Sequence, residues 1–410
     1  MLRLQADWLL PVVSPPIANG AILLDEAGRI IAVGTDAEIP RPETARTERL
    51  APGVLLLPGL VNSHTHLELT GFAGAVNEPS FDRWITSIIR VKAARSEEAF
   101  FDAACAGIRS MWSAGVTTVC DTGSTGAVIA ALDHLHASGT AHHEVFGAHP
   151  EQVESAMSRF ERDLDRLARH ATGRVGLGVA PHAPYTVSGA LYRASCDLAR
   201  AHGAPIAVHT AEAPDESALL ADFTGVFADW FTKQGIERPT KSATSPVAFM
   251  DAHGVLGPRT LCIHAIHADA EDTRLLSQRG VAIAHCPRSN RFHHETDAPI
   301  GQYVAAGLRL GLGTDSEVSV DPPDLLREAA AARRLGDWTA TQAVRALTLG
   351  GAEAIERADR IGSLEAGKWG DLAAIMVGET SEPEEAVLTA TRAAVTGTWL
   401  AGREVYRRAE

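Results

Sequence analysis

From about residue 54 onward, short apolar, β-branched runs alternate with longer stretches whose apolar positions recur at helical spacing. The strand candidates are Leu60–His66, Val116–Asp121, His142–Ala148, Val175–Ala180, Ile206–Thr210, Thr260–His264, Val281–His285 and Leu308–Thr314. Helical patterns such as Glu97–Trp112, Glu151–His170 and Val187–His202 lie between them. Runs that are apolar throughout suit strands buried on both faces, and helical intervals suit parallel crossovers. Eight such units predict an α/β fold, a closed (β/α)8 TIM barrel. An open doubly wound sheet is the structural alternative. No Gly-x-Gly-x-x-Gly follows an early strand, which argues against a dinucleotide fold.

The two ends follow another rhythm. Ala21–Asp25 and Arg29–Val33 flank a turn at Glu26-Ala27-Gly28, and Asp371–Val377 and Ala393–Tyr406 read as strands with a turn at Ala401-Gly402. The ends are expected to pair into a small β-sandwich domain, residues 1–53 with 363–410, into which the barrel, residues 54–362, is inserted.

Composition narrows the setting. The chain has 410 residues, 45% hydrophobic, enough for a sizeable core, and a net charge of −14. It shows no basic stripe, so nucleic acid and anionic membrane are not expected partners. No apolar run approaches the roughly 20 residues that span a bilayer. Met1–Asp7 is broken by charge and lacks a signal-peptide pattern. Cys105, Cys120, Cys196, Cys262 and Cys286 are scattered with no Cys-x-x-Cys, as expected of reduced thiols in a cytoplasmic protein. Cys120, Cys262 and Cys286 sit in apolar runs and read as small buried hydrophobes.

A barrel carries its chemistry at the C-terminal ends of its strands. The first candidate strand ends in His64-Thr65-His66, whose two imidazoles point the same way in an extended chain. The fifth ends in His209, with Glu212 three residues on; the sixth ends in His264; the eighth runs into Thr314-Asp315-Ser316. The fourth leads into Pro181-His182-Ala183-Pro184-Tyr185. Three imidazoles and a carboxylate suit a divalent metal such as zinc or iron with a position left for water, whose pKa the metal lowers. Glu212 is placed to move protons without being a ligand, a role known for a glutamate in zinc nucleobase deaminases of a different fold. Blander roles exist: Asp315 could cap a helix, and Glu212 could be a first-turn carboxylate favoured by the helix dipole.

With these residues in view, the chain resembles the amidohydrolase superfamily, in its cytosine/guanine deaminase and chlorohydrolase-like branch. The resemblance is carried by Pro58–His66, the step from His209 to Glu212, His264, Ala284–Asn290, Gly313–Ser316 and Gly362–Leu372, and so covers nearly the whole chain. It implies one metal, zinc foremost with iron and manganese as alternatives, held by His64, His66, His209 and Asp315. His264 would orient the attacking water and Glu212 would shuttle protons, so Glu212, His264 and Asp315 form the implied catalytic set. Binuclear members usually carry a carboxylated lysine after strand three or four. Neither His142–Glu151 nor Arg174–Tyr185 contains a lysine. A homodimer is common in such proteins, a fold-level analogy.

The implied reaction is hydrolytic deamination of a purine-like or nucleoside-like heterocycle, with release of ammonia. His182, Glu68, Trp84, Tyr185 and Ser316 are the expected substrate contacts. Arg288, Ser289, Asn290 and Arg291 could meet a polar or anionic part of the substrate, Phe223–Phe231 could form a lid, and His293-His294 reads as loop surface. The stretch after Leu67-Glu68-Leu69, with Phe81 and Trp84-Ile85, looks like that of aminodeoxyfutalosine deaminases, which puts 6-aminodeoxyfutalosine first among substrates. Adenosine-like nucleosides, guanine and other amino-heterocycles follow. Imidazolonepropionase-like ring opening and chlorohydrolysis would use the same metal set, and a barrel that binds without turnover is the alternative outside enzymes.

Overall fold

The computed structural model describes every residue except 77, 79, 238–242 and 410. Eight parallel strands form the central barrel: β6 (Leu60–Thr65), β7 (Val116–Gly123), β8 (Gly139–Val145), β9 (Val175–Pro181), β10 (Ile206–Thr210), β11 (Thr260–His264), β12 (Ala282–His285) and β13 (Arg309–Leu312). Neighbours in sequence are neighbours in the sheet. The ring closes where Thr65 bridges Asp315 and the amides of Thr314 and Asp315 both donate to the His64 carbonyl at 3.1 Å. Asn62 ties the same seam: its Nδ2 donates to Thr314 Oγ1 at 2.8 Å and its Oδ1 accepts from the Thr314 amide at 3.1 Å. Gly313 has no room for a side chain there, since a Cβ would lie 2.8 Å from both His64 Cβ and Cys286 Sγ.

The barrel strands are the apolar runs of the sequence, and β6, β7, β8, β10 and β11 are buried at every position. The third strand starts three residues earlier than the expected His142–Ala148. Pairing decides this: Gly139, Thr140 and Ala141 are held between β7 and β9 despite their small side chains. The expected Val187–His202 helix begins at Gly189, because Ser188 stays extended and caps it, accepting from the Leu191 amide.

The two chain ends form a separate eight-stranded sheet of β1 (Leu2–Leu9), β2 (Ile17–Leu24), β3 (Ile30–Thr35), β4 (Arg46–Arg49), β5 (Val54–Pro58), β14 (Leu372–Met376), β15 (Val395–Leu400) and β16 (Arg403–Arg407). Its halves meet where β5 and β14 pair antiparallel, from Val54 opposite Met376 to Pro58 opposite Leu372. Residues 54–58, counted with the barrel in the sequence reading, are thus a strand of this sheet, and the chain enters the barrel at Leu60. Leu4, Leu9, Ile22, Leu24, Leu56 and Trp399 build its core. Among the described residues, no helix is long and apolar enough to cross a membrane. All five cysteines are free and buried.

Candidate active site

The strand ends bring five chemically competent side chains to one end of the barrel. His64 and His66 leave β6 with ring centroids 4.8 Å apart. His209, at the end of β10, lies 5.2 Å from the His64 ring and 5.5 Å from the His66 ring, and His264, at the end of β11, is 5.7 Å from His209. Asp315 Oδ1 is 3.4 Å from His64 Nε2 and 3.5 Å from His66 Nε2. Ligand atoms of His64, His66 and Asp315 lie within 4.8 Å of one another, as do those of His64, His209 and His264.

Two of these residues pay a conformational cost. His264 has φ 67° and Asp315 has φ 57°. Left-handed backbone at a non-glycine residue costs of order 1–3 kcal/mol and persists where surrounding contacts impose it. Those contacts are present. His264 Nδ1 donates to Asn290 Oδ1 at 3.0 Å, which turns Nε2 toward the centre. Asp315 Oδ2 accepts from Ser289 Oγ at 2.6 Å and from Ser319 Oγ at 2.8 Å, which leaves Oδ1 facing the histidines. His66 is oriented likewise, with Nδ1 2.8 Å from the Thr122 carbonyl oxygen.

The group fits a divalent cation. Both ring nitrogens of His64 are buried with no hydrogen-bond partner among the described residues, whereas buried polar atoms are ordinarily paired. Burial pushes the His64 imidazole down to about 4, and burial together with neighbouring imidazoles holds His209 well below its ordinary value. Both therefore present the neutral, ligand form at neutral pH. Burial alone would raise the Asp315 carboxyl; His64, His66 and His264 outweigh it and hold it well below the usual range. A nitrogen-rich set with one carboxylate is the chemistry of zinc and similar ions.

Glu212 lies beside this group, its Oε1 3.6 Å from His264 Nε2. Burial would raise its carboxyl, but His264 and His294 bring it down to about 2. Behind it, Glu216 accepts from the amides of Ala211, Glu212 and Ala213 at 3.2, 2.8 and 3.0 Å and so fixes the turn that carries Glu212.

The expected substrate contacts divide. The His182 ring is 4.8 Å from that of His209, with Nδ1 2.8 Å from Thr186 Oγ1. Tyr185 stacks on Phe227 at 4.1 Å, in an apolar cluster that also gathers Phe231, Phe223, Trp230, Phe81 and Ile85. Trp84 stacks on Phe81. These residues form an aromatic wall beside the metal-competent group, drawn from the Phe81–Ala93 helix, the loop after β9 and the Gly225–Lys233 helix with Phe223 before it.

Other expected contacts are engaged elsewhere. Glu68 is buried, ion-paired with Lys92 at 2.5 Å and bonded to Thr125 Oγ1, so it braces the loop after β6 rather than meeting substrate. Ser316 pairs with Ser319 Oγ at 2.9 Å and supports the Asp315 turn. Ser289 and Asn290 hold Asp315 and His264. Arg288 pairs with Glu328, and Arg291 pairs with Asp297 at the surface. The reading of His293-His294 as loop surface is also corrected. Both end the Pro287–His294 helix; His293 lies 4.5 Å from Trp84, and His294 Nε2 is 3.5 Å from Glu212 Oε1.

One site neighbour escaped the sequence reading. His143 on β8 turns outward, stacking on Phe160 and facing Asp163. Strand alternation therefore turns His142 and Glu144 inward. The Glu144 carboxylate comes within 4.8 Å of ligand atoms of His182 and His209. The sequence signal was available: an acidic residue next to the end of the third strand, at the level of the other site residues.

Residues 55–405 match the family described as Amidohydrolase family. The chain is similar to a 5-methylthioadenosine/S-adenosylhomocysteine deaminase of Natronomonas pharaonis, 32% identical over 376 residues, 88% of this chain and 80% of that one. Among solved structures it is similar to a zinc-bound adenosine deaminase from Xanthomonas campestris (TM-score 0.86, 26% identity, 98% of this chain and 92% of that one). An aminofutalosine deaminase of Helicobacter pylori in complex with methylthio-coformycin shares the fold, with TM-score 0.81, 20% identity, and 99% and 100% of the two chains covered.

Proposed function

The chain belongs to the amidohydrolase family, and on that premise we propose that it is a metal-dependent deaminase of 6-aminopurine nucleosides. It is a hydrolase that acts on C–N bonds other than peptide bonds. The observation that carries the deamination reading is Glu212, a buried carboxylate 3.6 Å from His264, whose ring stands against those of His64 and His209. Deamination of a ring amidine needs an activated water and a proton carrier within reach of it.

His64, His66, His209 and Asp315 would hold a divalent metal, which would lower the pKa of a water toward neutrality. We take it to be a single zinc ion; the zinc in the Xanthomonas structure supports the choice. Glu212 takes one proton from the water and passes it to the ring nitrogen next to the amino-bearing carbon as the water oxygen bonds to that carbon, which relieves the charge that builds on the ring. His264 and Asp315 orient the water, and Asp315 accepts its remaining proton. Asp315 returns that proton to the amine as the C–N bond breaks, and ammonia departs. His182, Tyr185 and Trp84 would receive the flat base, whose ring faces suit the aromatic wall.

The substrate class is the 6-aminopurine nucleoside, which the names of the deaminase relatives described above support. The 32% identical relative favours 5′-methylthioadenosine and S-adenosylhomocysteine, and 6-aminodeoxyfutalosine stays in the class on its sequence resemblance. The test is ammonia release from adenosine, these three compounds and guanine, with metal analysis of the same sample. Ammonia from at least one nucleoside is expected. Chloride release from a chlorinated triazine, or a ring-opened acid from imidazolonepropionate, with no ammonia from any nucleoside, would overturn it.

A further inference from the structure

The Pro287–His294 helix sends three side chains toward the site. Ser289 holds Asp315, Asn290 holds His264, and His294 faces Glu212. Asn290 and His294 are four residues apart and so lie on one helical face. The two imidazoles of His264 and His294 flank the same carboxylate oxygen, Glu212 Oε1, at 3.6 and 3.5 Å. The His294 side chain is only 5% exposed, and its Nε2 has no hydrogen-bond partner among the described residues. A buried, unpaired ring nitrogen costs free energy unless it serves a partner, and the polar group it faces is Glu212. Its ring is held edge-on to Phe81 at 4.8 Å, and His267 stands 6.3 Å away.

We propose that His294 is a positioning residue for Glu212, donating from Nε2 to Oε1 during turnover so that Oε2 is presented to the substrate. The inference rests on the deaminase reading above. Separations of 3.5 Å are long for a hydrogen bond, but catalytic hydrogen bonds often tighten only in the complex. The donor would keep the carboxylate in one rotamer while its other oxygen exchanges protons. It would also couple the aromatic wall to the acid–base group, because the same imidazole packs on Phe81.

The test uses the metal-loaded enzyme and two variants that separate packing from donation. His294→Phe keeps the ring and its contact with Phe81 but has no donor. His294→Gln loses the ring but keeps an N–H. With the best nucleoside found for the wild type, His294→Phe is expected to lower kcat roughly 10²-fold, the scale of one acid–base contribution, with KM within about 3-fold. His294→Gln is expected to recover most of kcat. Metal content should match the wild type in both. A Glu212→Gln/His294→Phe double variant should fall no further than Glu212→Gln alone, since coupled residues are non-additive. The proposal is overturned if His294→Phe keeps wild-type kcat, if Phe and Gln lose activity alike, or if the double variant shows fully additive loss. A wild type that releases no ammonia from any nucleoside removes the deaminase reading itself, and this inference with it.

Discussion

Ser289 Oγ donates to Asp315 Oδ2 at 2.6 Å, joining the helix after β12 to the carboxylate after β13. Ser319 reaches the same oxygen from the other side at 2.8 Å. Asp315 can therefore turn its other oxygen to His64 and His66 without searching rotamers. Groups that orient metal ligands typically change metal affinity by 10–100-fold. Ser289→Ala should lose metal to a competing chelator at about 10-fold lower concentration than the wild type, with unchanged secondary structure. Equal metal retention in variant and wild type would show that the hydroxyl does not set the affinity.

Removing a proposed ligand and removing the proton carrier should separate cleanly. Asp315→Asn and His64→Ala should lose both metal and turnover. Glu212→Gln should keep its metal while kcat falls by roughly 10²–10⁴-fold, the range of general acid–base catalysis. Elemental analysis beside ammonia assays reads both. Full turnover in metal-bound Glu212→Gln would end the shuttle role.

Glu68 and Lys92 form an ion pair whose side chains are 1% and 22% exposed. Breaking a buried pair by removing one partner commonly costs about 3–5 kcal/mol. Lys92→Met should lower unfolding free energy toward that range in urea titrations and leave metal ligation in place. A change below about 1 kcal/mol would mean that Thr125 and water suffice to hold Glu68.

Glu328 predicts a pH dependence. It is fully buried, and burial raises its carboxyl to about 8, against bonds from Arg288 that lower it. In the unfolded chain it ionises near the ordinary 4.5. Between those values the folded state holds the extra proton, so stability falls as pH rises through the window, by at most about 1.4 kcal/mol per pH unit. Glu328→Gln should flatten the stability curve between pH 4.5 and 8. An unchanged slope in that interval would place the titration elsewhere.

The aromatic wall should govern binding more than chemistry. Trp84→Ala is expected to raise KM about 10-fold, since aromatic contacts add roughly 0.5–1.5 kcal/mol beyond the area they bury, with kcat within about 3-fold. A fall in kcat at constant KM would place Trp84 in the acid–base machinery instead.

The barrel, its strand order and the level at which chemistry sits were legible along the chain. Apolar runs at helical intervals admit few other folds, and a strand ending in histidine or aspartate places that group at the rim. What each rim residue touches was not legible. Glu68 and Ser316 share the rim with His66 and Asp315, yet one is turned to Lys92 and the other to Ser319. A local pattern cannot choose between a substrate contact and a brace, because the partner comes from a distant segment.

The sequence alone therefore determined the architecture and the chemically competent residues, since period and residue type are properties of neighbours along the chain. Tertiary structure decided their pairing. It carried His294 from an expected surface loop to Glu212, turned Glu144 inward beside His182 and His209, and moved residues 54–58 into the sheet of the chain ends. The first depends on the barrel, which brings the helix after β12 against the turn after β10; the second depends on alternation along β8, and the third on the pairing of β5 with β14.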